Sequence, residues 1–345
     1  MKNKPYFSAR PGTGVTSKLT FDAATHYLYR YACEGKIAIL IHARPDGDCI
    51  GSGFAMKKLL AGIGCESCVV CADRLPARLK FISDGSEIAA DSVPDEYAPG
   101  SGCRAIALDV AAPSQLGSLE NSYNIVLSLD HHIMSTPVAD GYLDATAAAT
   151  GEIVWRIARN WLRAGIIGSI PDGMAENVYA AISSDTGGFR YSNVTANTHR
   201  IAAQLVQHVP EHAEIDRLLF EVKSEERLAA EKAAMDYLRK YRNGTVTVCA
   251  MTMEQIAERG LSDEDLEALI DVARSVNGSQ IAYSVREEAK GIFRISARSN
   301  GNADVSEICR RFGGGGHVKA SGATIEAADI EEAVKLILRE TDRVV

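Results

Sequence analysis

The chain has 345 residues, 46% hydrophobic and 24% charged, with 45 acidic against 37 basic side chains and a net charge of −8. That length favours two domains over a single core, and no apolar run approaches the length that crosses a bilayer. The acid excess argues against a grip on long nucleic acid, which needs a positive field, and leaves small anionic ligands open.

Residues 1–17 are rich in Gly, Pro, Ser and Thr and read as a loose arm. Positive charge at Lys2 and Lys4 has no apolar stretch behind it, so the start is not read as a secretory signal, and a cytoplasmic location is expected. A helix is predicted over Phe21–Cys33, ended by Gly35, then a strand over Lys36–Ile41, a helix over Gly53–Ala61 and a strand over Glu66–Cys71. Cys65, Cys68 and Cys71 have the opening spacing of an iron–sulfur site, but the next position of that pattern is Leu75. The run is read as a buried strand in which cysteine is a small hydrophobe. Strands over Arg104–Asp109 and Asn124–Leu129 and helices over Thr150–Ala164 and Met174–Ser183 follow. Strands alternating with helices imply an α/β fold with a mainly parallel sheet.

From Ala213 to Tyr241 one long helix is predicted, with Ile215, Leu218, Leu219, Val222, Leu228, Met235 and Leu238 near the helical period and Asn243-Gly244 as its stop. Beyond it, strand and helix alternate again. The expected organisation is an arm at 1–17, a first domain at 18–212, a connector helix at 213–243 and a smaller α/β domain at 244–345.

In a parallel sheet, ligands bind beyond the carboxyl ends of the strands. Here the first strand runs into His42-Ala-Arg-Pro-Asp46-Gly-Asp48, another ends in Asp109, and another in Asp130-His131-His132; a later helix leads into Asp185. Any one of these is more often a turn residue or a helix cap than a ligand. Together they would place converging carboxylates that repel one another unless cations compensate them. His42, Asp46, Asp48, Asp109, His131 and Asp185 mix carboxylate with imidazole, which suits manganese, iron(II) or zinc better than calcium. They are too many for one tetrahedral ion and fit two divalent ions about 3.5–4 Å apart that share a carboxylate. His26, His199, His208 and His212 lack such context and are read as structural or solvated.

In the second domain, Arg294, Ser296 and Arg298 share one strand face and Phe293, Ile295 and Ala297 the other, so one face packs and the other can grip phosphate. Asp304-x-x-Glu307 reads as a capping box. Gly313 to Gly316 allow close backbone approach to a ligand, with His317 at the end of the loop.

These segments resemble the DHH phosphoesterase superfamily. His42-Ala-Arg-Pro-Asp-Gly-Asp-Cys-Ile-Gly-Ser52 matches its H-x-x-P-D-G-D-x-x-G-S motif, Asp130-His131-His132 its name-giving triplet, and Phe312-Gly-Gly-Gly-Gly-His317 the DHHA1 type of second domain. The likeness runs from Ile37 to Thr324 and is nearest to the nanoRNase and pAp-phosphatase group. It implies an active site in the cleft between a DHH and a DHHA1 domain. It implies one ion on His42, Asp46 and Asp109 and another on Asp48, Asp109, His131 and Asp185, with manganese preferred. Asp130 would orient the histidines, His132 would contact the scissile phosphate, and Arg298, Ser296, Gly314, Gly315, Gly316 and His317 would bind substrate. The implied activity is two-metal hydrolysis of phosphate esters in short oligoribonucleotides, linear dinucleotides such as pApA, or pAp. A cyclic-dinucleotide phosphodiesterase and a non-catalytic nucleotide-binding regulator are the alternatives. No long nucleic acid or membrane is expected as a partner, and a homodimer is compatible.

Overall fold

Every side chain of Ile37-Ala-Ile-Leu-Ile41 is apolar, as a strand covered on both faces requires. The computed structural model describes residues 18–85, 89–133, 135–263 and 265–344; the arm expected at 1–17 lies outside them. The chain divides into two compact units, Met1–Val222 and Lys223–Val345.

The first unit contains α1 (Phe21–Cys33), β1 (Ile37–Leu40), α2 (Gly47–Ala61), β2 (Ser67–Val70), β3 (Arg104–Leu108), β4 (Ile125–Asp130), β5 (Gly141–Leu143), α3 (Thr150–Arg163), α4 (Met174–Asp185), α5 (Ala196–Leu205) and α6 (His212–Phe220). Its sheet has the order β2-β1-β3-β4-β5 and is parallel throughout. Ile37, Ile39 and Ile41 pack with Leu28 of α1, Phe54 and Leu59 of α2, Trp155 of α3 and Val178 of α4. Ala38 and Leu40 point the other way, against Val70, Ala107 and the short turn bearing Leu116 and Leu119. Each fully buried large side chain contributes roughly 1.5–3 kcal/mol. The cysteine-rich run forms β2 as read, with Cys65 and Cys71 buried at its flanks.

Helix α2 begins at Gly47, earlier than the expected Gly53. Asp46 caps it, accepting from the N–H groups of Asp48 at 3.0 Å and Cys49 at 3.1 Å. Gly47 and Gly51, which read as loop, are contacts with α4. A Cβ on Gly51 would lie 2.5 Å from the Asn177 carbonyl oxygen, and one on Gly47 would lie 2.2 Å from Ser184 Oγ. That close approach fixes the start of α2 against the end of α4.

The second unit holds α7 (Glu225–Tyr237), β6 (Leu238–Tyr241), β7 (Val246–Met251), α8 (Met253–Glu258), α9 (Glu267–Ser275), β8 (Ile281–Ala289), β9 (Ile292–Ser299), α10 (Val305–Arg310), β10 (Gly315–His317), β11 (Ala320–Glu326) and α11 (Ile330–Val344). Its sheet runs β10-β11-β9-β8-β7-β6, parallel only between β7 and β8. Helices α7 and α9 pack on one face, α10 and α11 on the other.

The single helix expected over 213–243 is instead α6, α7 and β6. Ser224 starts α7 afresh, its hydroxyl accepting from Arg227 N–H at 3.1 Å. The packed face of α7 is Ala230, Ala233 and Ala234, whereas Leu228 and Met235, which carried the apolar period, are 53% and 63% exposed. The break falls where the two units divide, at Val222–Lys223. Among the described residues no helix is long and apolar enough to cross a membrane.

Candidate metal centre

Register delivers the centre. Leu40 of β1 sits beside Ala107 of β3, and Leu108 of β3 beside Leu129 of β4, so the residues that follow bring His42, Asp109 and Asp130 to one level. Strand order reverses between β1 and β3, which opens a crevice at their carboxyl ends. Asp109 sits in that crevice only 2% exposed, with a left-handed backbone at φ +61°, and Arg44 in the neighbouring loop has φ +53°. Such conformations cost about 1–3 kcal/mol and concentrate at functional sites.

Asp109 divides its carboxylate. Oδ2 lies 3.7 Å from His42 Nε2, which is in turn 3.6 Å from Asp46 Oδ1. Oδ1 lies 3.6 Å from His131 Nε2, which is 3.7 Å from both Asp48 Oδ2 and Asp185 Oδ2. These separations exceed hydrogen-bond length. They suit atoms that share an ion at about 2.0–2.2 Å from each.

The rings are already oriented for this. His42 Nδ1 donates to the Ala43 carbonyl at 2.9 Å and His131 Nδ1 to the Ala147 carbonyl at 3.3 Å, since a carbonyl can only accept. In the neutral ring this leaves the Nε2 lone pair facing the carboxylates, the usual arrangement of ligating histidines. Without a metal, burial opposes a charged His42, but Cys49, Asp109 and Asp46 outweigh it and hold the imidazole raised. Asp130 Oδ1 accepts from the N–H groups of His131 and His132 at 2.8 and 3.2 Å and from His132 Nδ1 at 2.7 Å. Burial opposes a charged His132, but the Asp130 hydrogen bond and the charges of Asp109, Asp130 and Asp185 outweigh it and raise the imidazole to about 9.

The electrostatics test whether cations fit. Asp48 is 1% exposed. Burial first, then the charges of Asp109, Asp185 and Asp46, push its carboxyl well above the usual carboxylate range, against the Thr150 N–H that favours the anion. Burial also raises Asp185, to about 7; His131 and His132 work against the rise, and the charges of Asp109 and Asp46 reinforce it. Carboxylates so crowded and so dry are at ease only beside positive charge. The carboxylate and imidazole donors therefore fit divalent metal ions, with His42, Asp46 and Asp109 able to hold one and Asp48, Asp109, His131 and Asp185 another. Cys49 Sγ lies within the His42 and Asp46 donor group as well.

All the metal-ligand residues expected from sequence thus meet at one place. His132 lies beside them, its Nδ1 3.7 Å from Asp109 Oδ1, while three of the histidines read as structural or solvated pack against rings elsewhere. His199 stacks on Phe189, His208 lies edge-on to Trp155 and His212 edge-on to Tyr179. Sequence reasoning missed Thr150 and Gly151. Thr150 and Gly151 N–H donate to the Asp48 carboxylate at 2.7 and 3.0 Å, and Thr150 Oγ1 donates to Asp109 Oδ1 at 2.9 Å. Backbone donors leave no side-chain signature. The one available signal was Ala149, a helix start with no capping side chain, which leaves N–H groups for an outside acceptor.

In the second unit, β9 alternates as expected, with Phe293, Ile295 and Ala297 buried and Arg294, Ser296 and Arg298 half-buried on the other face. Register aligns Ser296 with Gly322 and Gly315, and Arg298 with Ala320 and His317. The His317 side chain lies outside the described part of the structure. The glycines divide by role: a Cβ on Gly314 would lie 2.2 Å from the Gly322 carbonyl oxygen, Gly316 has φ +141° and no room beside Ala320, and Gly315 has nothing within 4 Å. Gly314 and Gly316 are glycine for packing, Gly313 has open space but a left-handed φ of +74°, and Gly315 has open space above an ordinary backbone.

Residues 36–182 match the model of the DHH family, N-terminal domain, and residues 232–342 that of the DHHA1 domain. A protein of Thermus thermophilus named bifunctional oligoribonuclease and PAP phosphatase NrnA is 31% identical over 89% of this chain and 89% of its own. Its namesake in Bacillus subtilis is 23% identical over 84% of this chain and 88% of its own. An exopolyphosphatase-related protein of Bacteroides fragilis shares the fold, with a TM-score of 0.83 at 22% identity over 93% of this chain and 96% of its own.

Proposed function

The chain belongs to the DHH family and carries a DHHA1 domain, and on that premise we propose that it hydrolyses phosphate esters in short oligoribonucleotides, linear dinucleotides and pAp with two divalent ions, manganese preferred. The observation that carries this reading is the divided Asp109 carboxylate, with one oxygen 3.7 Å from His42 Nε2 and the other 3.6 Å from His131 Nε2. The relatives named for oligoribonuclease and PAP phosphatase activity supply the substrate class.

Bound in the centre, divalent ions would lower the pKa of a water and stabilise charge on phosphate oxygens. The protein's own groups do the rest. Asp46 and Asp48 are presented by the start of α2, and Asp185 by the end of α4, so close packing of those helices sets the spacing of the carboxylates. Raised to about 9 with Nδ1 donating to Asp130, the His132 ring would carry a second proton at Nε2 for the leaving oxygen, which would make His132 the general acid and Asp130 its holder. Arg298 would grip a substrate phosphate, Ser296 and the backbone at Gly314, Gly315 and Gly316 would line that grip, and His317 would complete it.

The test is a panel of pAp, pApA, a pentaribonucleotide, a cyclic dinucleotide and pyrophosphate, each with purified protein and Mn2+. Mononucleotides from pApA and the RNA, with phosphate from pAp, is the expected result. Turnover of the cyclic dinucleotide alone would replace the substrate class, and silence on all five with metal bound would leave a nucleotide-binding regulator.

A further inference from the structure

The run Ala147-Ala-Ala-Thr-Gly151, at the start of α3, contacts the centre at several points, although none of its residues is of a metal-binding type. The Ala147 carbonyl fixes the His131 ring at 3.3 Å. The Ala148 carbonyl accepts from Asn193 Nδ2 at 3.0 Å, and the same amide donates to the Asp185 carbonyl at 3.0 Å. Thr150 and Gly151 N–H hold both oxygens of Asp48. Helix α3 has no capping side chain of its own, so Asp48 acts as its cap from across the site. Gly151 must be glycine for this, since a Cβ there would lie 2.7 Å from that of Ala181.

Within this segment Thr150 does something its backbone alone cannot. Its hydroxyl is fully buried and donates to one named oxygen of Asp109, Oδ1 at 2.9 Å. That oxygen faces His131, and through it Asp48 and Asp185, while Oδ2 is left toward His42. A carboxylate free to rotate about its last bond can turn both oxygens to one side. One anchored at Oδ1 cannot.

We propose that Thr150 is a positioning residue whose hydroxyl holds the Asp109 carboxylate divided between the two donor groups, and so secures the ion held by Asp48, Asp109, His131 and Asp185. This rests on the two-ion reading above. The hydroxyl touches no substrate and acts only through Asp109. Groups that orient ligands in this way change metal affinity by about 10- to 100-fold when removed.

The experiment is a Mn2+ titration followed by electron paramagnetic resonance on the full chain, with wild type, Thr150→Ser, Thr150→Ala and Thr150→Val. Ser and Ala both lack the methyl group and differ from each other only in the hydroxyl, so their comparison stands even if Val packs poorly. Melting in chelator is recorded beside each titration. The expected result is an exchange-coupled pair of ions in wild type and Thr150→Ser. Thr150→Ala should bind the first ion as wild type does and the second about 10-fold or more weakly, giving the six-line spectrum of an isolated ion at intermediate Mn2+. Equal second-ion affinity in the Ser and Ala variants would overturn the inference while leaving the two-ion reading intact. A single uncoupled ion in wild type would overturn both.

Discussion

Asp185→Asn separates the demands of metal binding from those of folding. In the metal-free protein the Asp185 carboxyl is raised from 3.8 to about 7, by burial first, with His131 opposing and Asp109 and Asp46 adding to the rise. A raised carboxyl costs stability as pH climbs. Below the unfolded value both states are protonated and nothing is lost; between about 4 and 7 the unfolded chain ionises while the folded one resists. Roughly three units at 1.36 kcal/mol each sets a ceiling of about 4 kcal/mol above pH 7. The side chain is 31% exposed, and solvent screening brings the working figure to about 2 kcal/mol. Asparagine carries no such charge, and the 3.5 Å contact with Asn193 that it would disturb is weak. In chelator at pH 7.5 the variant should therefore melt about 4–8 °C above wild type. The gap should close toward pH 4. On addition of Mn2+ the order should invert, because wild type gains binding energy that the variant has lost. Calorimetry across pH, with and without metal, reads all of this. A variant that melts below wild type in chelator, or gains as much from Mn2+, would refute the electrostatic reasoning.

His132→Gln should lower kcat by about 10²–10⁴ while leaving Mn2+ stoichiometry unchanged, measured by pApA hydrolysis beside metal analysis. Gly314→Ala should destabilise the second unit, since its Cβ would lie 2.2 Å from the Gly322 carbonyl oxygen, whereas Gly315→Ala should keep the wild-type Tm and raise KM for pApA. Asp144 sits in a different regime. Burial works against its charge, but the Thr146 hydroxyl and N–H and the Arg156 guanidinium hold its carboxyl down to about 2. The stability it brings is present above its ordinary value and is lost as pH falls through about 2, so Asp144→Asn should cost about 1–2 kcal/mol at pH 7 and almost nothing near pH 2, checked by denaturant titration at both.

The candidate metal ligands were legible in sequence because they are side chains of distinctive type at the ends of apolar strands, and a parallel sheet converts that pattern into proximity. Strand limits followed from apolar runs for the same reason. The start of α2 was not legible, because Gly47 and Gly51 signal a loop until the close approach of α4 explains them. Leu228 and Met235 misled in the opposite direction: their helical spacing is real, but alanines make the buried face of α7, and Ser224 interrupts the run. Thr150 was invisible because its value lies in which oxygen of Asp109 its hydroxyl meets, a fact of three dimensions. The same holds for Gly315, which sequence could not tell from the neighbouring glycines that packing requires.

The central claim is that Asp109 joins two ions into one hydrolytic centre, and turnover of pApA by Asp109→Ala in saturating Mn2+ tests it most directly. Loss of activity by about 10³-fold or more, with the fold retained, is what the divided carboxylate predicts. Near-normal turnover would contradict it.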